Sequence, residues 1–141
     1  MGKFIEELKE EHTSIIDRLL KVKQLGVHTM EGRNELMETK KILLMHLEKE
    51  DDKLYPALRI AAEGDQRLKG FLDTFENEMK KISAFCIEFF TKYAVGGGGI
   101  EFLRDFDKLR SSLEERIQKE ESILYEKYEE LIAAPGTVKA A

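Results

Sequence analysis

His46 and Glu50 stand four residues apart within the run MHLEKEDDKLYPAL, residues 45–58. Residues at positions i and i+4 lie on the same face of an α-helix. An imidazole and a carboxylate placed in this way can bind a divalent cation together. On a charged surface helix, however, the same pair would simply be solvated. The spacing alone therefore leaves a metal site and an ordinary exposed face as alternatives.

Three other segments also carry ionisable residues among regularly spaced apolar residues. His12 interrupts the apolar face of the first segment, Glu78 that of the third, and Arg116 that of the fourth, where Glu120 follows four residues later. Because aromatic and aliphatic residues flank Glu78 at helical spacing, we expect its carboxylate to have little access to water. Buried ionisable groups persist mainly when they are paired or bind a metal. We therefore predict that these residues meet in the interior.

The order of these residues repeats along the chain. His12 precedes His46 by 34 residues, and Glu78 precedes Arg116 by 38 residues. A glutamate follows both His46 and Arg116 by four residues, and a Leu-Tyr pair begins four residues after each glutamate. The repeat predicts two helical hairpins that present matching polar layers to each other, which is a stronger signal than any one histidine.

Apolar residues recur at helical spacing in four long segments, and no segment alternates with a period of two. The breaks between the segments fall at residues 26–32, 61–64 and 96–99. Short connections favour antiparallel neighbours, so we predict an all-α, up-down-up-down antiparallel four-helix bundle over residues 1–134, with a flexible tail over residues 135–141. Pro56 should end or kink the second helix near Tyr55.

Composition narrows the classes of function. The chain is 42% hydrophobic and 36% charged, with a formal net charge of −5. No basic stripe predicts nucleic-acid binding, and no apolar run is long enough to span a membrane. The single cysteine, Cys86, cannot form an intrachain disulfide, and the N-terminal residues carry acids where a signal peptide would be apolar. We therefore expect a cytoplasmic protein.

The segments EEHTSII, HLEKEDDKLYPAL and RIQKEESILY resemble the hemerythrin-like HHE cation-binding domains, and the resemblance extends over essentially the whole chain. The family pattern is His, HxxxE, His, HxxxE. The resemblance implies a four-helix bundle with two iron ions, and it implies O2, NO or iron handling. It also implies that His12 and His46 are terminal ligands of one ion, and that Glu50 and Glu120 are the bridging carboxylates.

The chain departs from this pattern where Glu78 and Arg116 replace the two histidines of the second half. Three glutamates and one arginine leave a charge of −2, which one divalent cation would neutralise. We therefore predict a single ion, iron in the first place and otherwise Mn or Zn. Arg116 would occupy the second-metal position, paired in a bidentate manner with Glu78 or with a bridging glutamate. The predicted metal-site residues are His12, His46, Glu50, Glu120 and Glu78.

Three functions fit these residues. The first is a metal-binding protein without catalytic activity that binds or senses a metal ion, O2 or NO. The second is a mononuclear non-haem enzyme acting on O2 or peroxide, although no dedicated substrate-binding residues stand out in the sequence. The third is a metal-free bundle whose core contains a network between Arg116 and the glutamates. Metal content distinguishes the third function from the first two, and turnover of peroxide distinguishes the second from the first.

Overall fold

The computed structural model describes residues 2–133, and within this range the secondary structure is entirely helical. Five α-helical stretches form the main elements: α1 (Lys3–Leu25), α2 (Met30–Lys49), α3 (Tyr55–Ala61), α4 (Gln66–Tyr93) and α5 (Gly99–Lys119). A short helix, α6 (Tyr125–Tyr128), follows α5. The all-α prediction is confirmed. The predicted boundary at residue 134 and the tail 135–141 lie outside the described residues.

The three predicted breaks overlap the connections between four long helical rods, each of which is one α-helix or a run of consecutive helical segments. The rods are α1, residues 30–61, α4 and residues 99–133. The first connection packs closely on α2, because a Cβ added to Gly32 would lie 1.6 Å from the carbonyl oxygen of Gly26. Thr29 caps α2 by accepting a hydrogen bond from the N–H of Gly32 at 2.9 Å. Asp65 caps α4 in the same manner, accepting from the N–H of Leu68 at 3.1 Å. Local chemistry therefore sets these helix starts.

The second rod continues through Pro56 rather than ending there. A π-helical segment, π1 (Glu50–Leu54), follows α2, and α3 then begins at Tyr55 with Pro56 in its first turn. Proline is tolerated in the first turn of a helix, where its missing N–H would have no partner. The prediction that the helix ends near Tyr55 was therefore wrong, since the helix widens before the proline and continues to Ala61.

The fourth rod repeats this widening without any proline. The segment π2 (Glu120–Leu124) follows α5, α6 follows π2, and a further π segment, π3 (Glu129–Ala133), follows α6. Residue 126, which corresponds to Pro56, is a glutamate. Proline is therefore not required for the widening. The segments π1 and π2 each begin at a glutamate of the sequence repeat. Single π turns of this kind occur frequently at functional sites.

The buried ionisable residues form one layer in the interior, between two apolar clusters. These residues are His12, His46, Glu50, Arg116 and Glu120. The larger cluster contains Ile15, Leu19, Leu43, Phe89, Phe90, Phe106, Leu109 and Leu113, among others. The smaller cluster contains Ile5, Leu8, Leu54, Leu58, Leu72, Phe75, Leu124 and Tyr125, among others. No helix within residues 2–133 is long and apolar enough to cross a membrane.

Candidate metal centre

Four predicted ligands converge in the polar layer: His12, His46, Glu50 and Glu120. One ligand atom from each lies within 4.8 Å of the others, and all four side chains are buried. His12 comes from α1 and His46 from the last turn of α2, while Glu50 and Glu120 are the first residues of π1 and π2. Glu50 and Glu120 thus each contribute a carboxylate to the site from the residue at which an α-helix changes to a π-helix.

Carboxylates outside the cluster orient both imidazole rings. The Nδ1 atom of His46 lies 2.7 Å from Oε1 of Glu11, and Nδ1 of His12 lies 2.8 Å from Oε2 of Glu121. An ionised carboxylate can only accept a hydrogen bond, so each Nδ1 carries the hydrogen and donates it. Although partial burial opposes the shift, hydrogen bonds from Lys49 and His46 lower the pKa of Glu11, which keeps this acceptor ionised. In the neutral rings, both Nε2 lone pairs consequently face the site.

Lone pairs surround Nε2 of His12. This atom lies 3.0 Å from Nε2 of His46, 3.0 Å from Oε1 of Glu120 and 3.1 Å from the hydroxyl oxygen of Tyr125. The Tyr125 hydroxyl donates its single hydrogen to Oε2 of Glu50 at 2.7 Å, so it has none to give to His12. Such a grouping of acceptors is repulsive unless protons or a cation lie among them. Two imidazoles and two carboxylates suit Fe, Mn or Zn.

The carboxylates supply further free ligand atoms. Oε1 of Glu50 and Oε2 of Glu120 are buried without a hydrogen-bond partner among the described residues. Burial raises the pKa of both carboxyl groups to about 8, and burial likewise lowers the pKa of His46. With pKa values raised in this way, the two carboxyl groups of the metal-free protein hold protons at neutral pH, where a bound cation would otherwise balance their charge. The residues present therefore fit a divalent metal ion, which would take the place of those protons.

Tyr55 and Tyr125 occupy equivalent positions of the repeat but have different surroundings. Tyr125 bonds to Glu50, whereas the buried hydroxyl of Tyr55 has no partner within residues 2–133. In a regular α-helix a residue five positions after Glu50 would point about 140° away from it. A π turn contains more residues than an α turn, so it brings the fifth residue back toward the face of the first. Both tyrosines are buried in the smaller cluster, which borders the layer. Only Tyr125 has a hydrogen bond to a ligand residue.

Arg116 is buried in the same layer, but Glu78 is not. The Arg116 guanidinium lies 4.2 Å from the centre of the Phe75 ring, and its Nη2 pairs with Oε2 of Glu78. The Glu78 side chain is 45% exposed, against 3% for Arg116. The expectation that Glu78 is shut off from water was therefore wrong, since its long side chain reaches the surface. The pairing with Arg116 is through one nitrogen, not the bidentate contact that we predicted.

The structure thus brings together four of the five predicted metal-site residues and leaves Glu78 apart from them, on the outer side of Arg116. Sequence reasoning missed three residues that contact the ligands: Glu11, Glu121 and Tyr125. Their positions in the sequence do indicate that they lie near the site. Glu11 and Glu121 directly adjoin His12 and Glu120, and Tyr125 belongs to the repeated Leu-Tyr pair.

This fold and this layer of histidines and glutamates define a class of helical cation-binding domain. The chain belongs to the hemerythrin family: the family model for the hemerythrin HHE cation binding domain matches residues 3–128. No curated protein and no solved structure matches the chain significantly. Membership of this family indicates metal binding, and the four convergent residues form a group that could hold a metal ion.

Proposed function

We propose that this protein binds one divalent metal ion, iron in the first place, through His12, His46, Glu50 and Glu120. The observation that carries the proposal is the set of inward-facing lone pairs around Nε2 of His12. Glu11 and Glu121 would fix the ring orientations and increase the basicity of the imidazoles, as carboxylates behind metal-bound histidines do. A buried cation would remove the repulsion among these acceptors.

Arg116 supports a count of one ion. A guanidinium stays protonated and has no lone pair for a metal, and its charge would repel a second cation. In this proposal Glu78 pairs with Arg116 and is not a ligand. The four rods pack in an up-down-up-down antiparallel order, which is supported by the short connections between consecutive rods and the contacts of α1 with α2 and of α4 with α5.

We further propose that the site serves to bind or sense iron, O2 or NO in the cytoplasm. An iron(II) ion would supply the affinity for O2 or NO. The chain's own residues would exclude water and hold the ligand set in place, since the whole cluster is buried. The free thiol of Cys86 is compatible with a reducing compartment.

The test is metal content. The protein is produced in iron-supplemented medium, and elemental analysis is combined with an anomalous-scattering map of its crystals. We expect one ion per chain within the cluster of His12, His46, Glu50 and Glu120. About two ions per chain would contradict the single-ion proposal, and no ion under metal-replete conditions would favour the metal-free bundle.

A cavity beside the cluster keeps a second candidate function open. It has a volume of about 20 Å³ and is lined by His12, His46, Glu120 and mainly apolar side chains. Such a space could admit O2 or peroxide, as an enzyme with a mononuclear iron site would need. Peroxide consumption by the iron-loaded protein, absent in His46→Ala, would favour this function. A rate equal to that of free iron would favour binding alone.

A further inference from the structure

Two outer grooves approach the metal-binding cluster, one on each side of α4. The α2–α4 groove has a volume of about 320 Å³, and its lining residues include Glu50, Asp51, Tyr55, Glu76, Lys80 and Ala84. The α4–α5 groove has a volume of about 110 Å³ and is lined by Glu78, Ile82, Ser112, Glu115, Arg116 and Lys119. The first groove shares three lining residues with the cavity of about 20 Å³ beside the cluster, and the second groove shares two. The cluster can therefore be approached from two sides.

Size does not decide between the two grooves. A single water needs roughly 10–15 Å³ of such space, so the six waters of a hydrated divalent ion need about 60–90 Å³. Either groove can hold that ion, whereas the cavity of about 20 Å³ beside the cluster cannot. An ion on its way to the cluster must therefore exchange its waters for protein ligands at the inner end of a groove.

The α4–α5 groove has a cation at its inner end. Arg116 lines both this groove and the cavity, and its guanidinium offers N–H donors but no lone pair. Lys119 adds a second positive charge, with its ammonium 3.5 Å from Glu115. Although Glu78 and Glu115 balance these charges in number, their side chains are 45% and 72% exposed, against 3% for Arg116. Solvent screens the carboxylates more than the guanidinium, so the inner end of this groove repels a divalent cation.

The α2–α4 groove has carboxylates instead. Asp51 and Glu76 line it, and Lys80 is the one cationic side chain among the described residues that line it. Arg59 lies beside the groove and divides its guanidinium between two carboxylates, Glu76 at 2.6 Å and Asp73 at 2.8 Å. These five side chains carry three negative charges and two positive ones. The groove therefore attracts a cation even before Glu50 is counted.

Glu50 connects this groove with the cluster. It lines the groove and is also one of the four convergent residues. Its Oε1 atom is buried without a partner within residues 2–133, and so is the hydroxyl oxygen of Tyr55, a second lining residue. Buried oxygen atoms without partners are rare, which indicates a ligand that binds or passes at this point. Asp51 directly follows Glu50 in the sequence, so carboxylates stand at successive positions along the groove.

We propose that the α2–α4 groove is the route by which the divalent ion enters and leaves the cluster, with Asp51 as its transient ligand. This inference rests on the proposed function, because it requires that the four convergent residues bind a metal ion. An ion that exchanges water first for Asp51 and then for Glu50 keeps an oxygen ligand throughout. Since Asp51 contacts the ion only in transit, it changes the rates of entry and exit equally and leaves the equilibrium affinity unchanged.

The first experiment fills each groove in turn and measures the exchange of cobalt(II), whose visible absorption changes when protein ligands replace water. Stopped flow follows uptake over a range of cobalt concentrations, and an excess of EDTA gives the rate of release. We expect Ala84→Trp, at an exposed position of the α2–α4 groove, to slow both rates about tenfold. Ser112→Trp fills the α4–α5 groove and is the control, which should leave both rates unchanged.

The second experiment changes charge rather than volume, so it does not depend on whether the tryptophan variants fold. We expect Asp51→Asn to slow cobalt uptake about three- to tenfold and to make uptake less sensitive to ionic strength, because an attracting carboxylate is lost. The dissociation constant at equilibrium should stay within about twofold of the original value. Asp52→Asn is the matched control, since Asp52 is the next residue, is exposed and does not line the groove.

Several outcomes would overturn the route. Slower exchange in Ser112→Trp but not in Ala84→Trp would place entry beside Arg116. An uptake rate that does not rise with cobalt concentration would show that opening of the bundle limits entry. Weaker binding in Asp51→Asn through faster release alone would make Asp51 part of the final site. Unchanged rates in variants that still bind one cobalt would remove the route and leave the metal site standing, whereas failure to bind cobalt, zinc or iron would overturn the proposed function as well.

Discussion

The Nε2 atoms of His12 and His46 lie 3.0 Å apart, while each ring donates its Nδ1–H to a carboxylate on the opposite side. Each ring therefore presents a lone pair to the other, a repulsion that protons relieve in the metal-free protein and that a metal ion between the rings would also relieve. We expect His12→Ala and His46→Ala to reduce the metal content to near zero by elemental analysis. His28→Ala is the matched control, because His28 is exposed in the first connection and should leave the metal content unchanged. Equal loss in all three variants would contradict this assignment.

The outer carboxylates should tune metal affinity without being ligands. We expect Glu11→Gln and Glu121→Gln to weaken metal binding by about 10- to 100-fold, because a glutamine accepts the Nδ1–H bond less strongly than a carboxylate. Competition with a chromophoric chelator measures the affinity. Glu10→Gln provides the control, since Glu10 is exposed beside Glu11 on α1. An unchanged affinity in both test variants would show that these contacts do not support the imidazoles.

Removal of Tyr125 and removal of Tyr55 should have different consequences for stability. Tyr125→Phe removes the hydroxyl that bonds to Glu50 and should lower the free energy of unfolding by about 1–3 kcal/mol. Tyr55→Phe removes a buried hydroxyl that has no partner among the described residues, so it should be neutral or slightly stabilising. Urea denaturation of the metal-free protein compares the two. A larger loss for Tyr55→Phe would contradict the observed asymmetry.

The Arg116–Glu78 pair predicts unequal effects of its two partners. Glu78→Gln should cost less than about 1 kcal/mol, because the Glu78 side chain is 45% exposed. Arg116→Ala should cost about 3 kcal/mol, since it removes a buried cation that faces Glu120 and packs on Phe75. Chemical denaturation of both variants without metal checks the difference. Similar losses would indicate that the pair, not the burial of Arg116, stabilises this region.

The pH dependence of stability should change sign when the metal is bound. Burial raises the pKa of Glu50 and Glu120 to about 8 from the usual 4.5, so the folded metal-free protein holds protons that the unfolded chain has lost. Their contribution is full at low pH and is lost as the pH rises toward 8. Burial lowers the pKa of His46. This shift changes the free energy of unfolding only below about pH 6.5, where the histidine of the unfolded chain takes up a proton.

Between pH 6.5 and 8, the metal-free protein should therefore lose about 3 kcal/mol of stability, roughly half from each carboxyl group. The metal-loaded protein should gain stability over the same range, because fewer protons compete for the ligands. Urea denaturation at both pH values gives the comparison. Glu50→Gln removes one of the titrating groups and should flatten the slope of the metal-free protein. A metal-free protein that is more stable at pH 8 than at pH 6.5 would contradict the raised pKa values.

Much of the fold could be predicted because its signals are local. Glycines and capping residues mark the connections, and apolar residues at helical spacing define the rods, so the breaks predicted at residues 26–32, 61–64 and 96–99 overlap the observed connections at residues 26–29, 62–65 and 94–98. The π turns were not predicted. The sequence predicted an interruption at Pro56, but the widening begins at Glu50, and its counterpart at Glu120 has no proline nearby.

The candidate site shows a similar division. Spacing and resemblance identified His12, His46, Glu50 and Glu120, which the fold brings together. The position of Glu78 could not be predicted in the same way, because a long side chain near the edge of an apolar face can extend to water while its backbone stays inside. The contacts of Glu11, Glu121 and Tyr125 join residues on different rods. Helical periodicity carries no information on such contacts until the rods are packed.

The polar layer between the two apolar clusters has a mechanical consequence. The smaller cluster is built from the first turns of α1 and α4 and from the segments that follow the two glutamates. Without a metal ion, this end of the molecule is joined to the larger cluster through a layer in which protons on Glu50 and Glu120 replace the cation, and these protons are lost as the pH rises toward 8. This end should then exchange its amide hydrogens independently of the other end. A bound ion would link the two ends, so that the amide hydrogens of both would exchange in one cooperative opening.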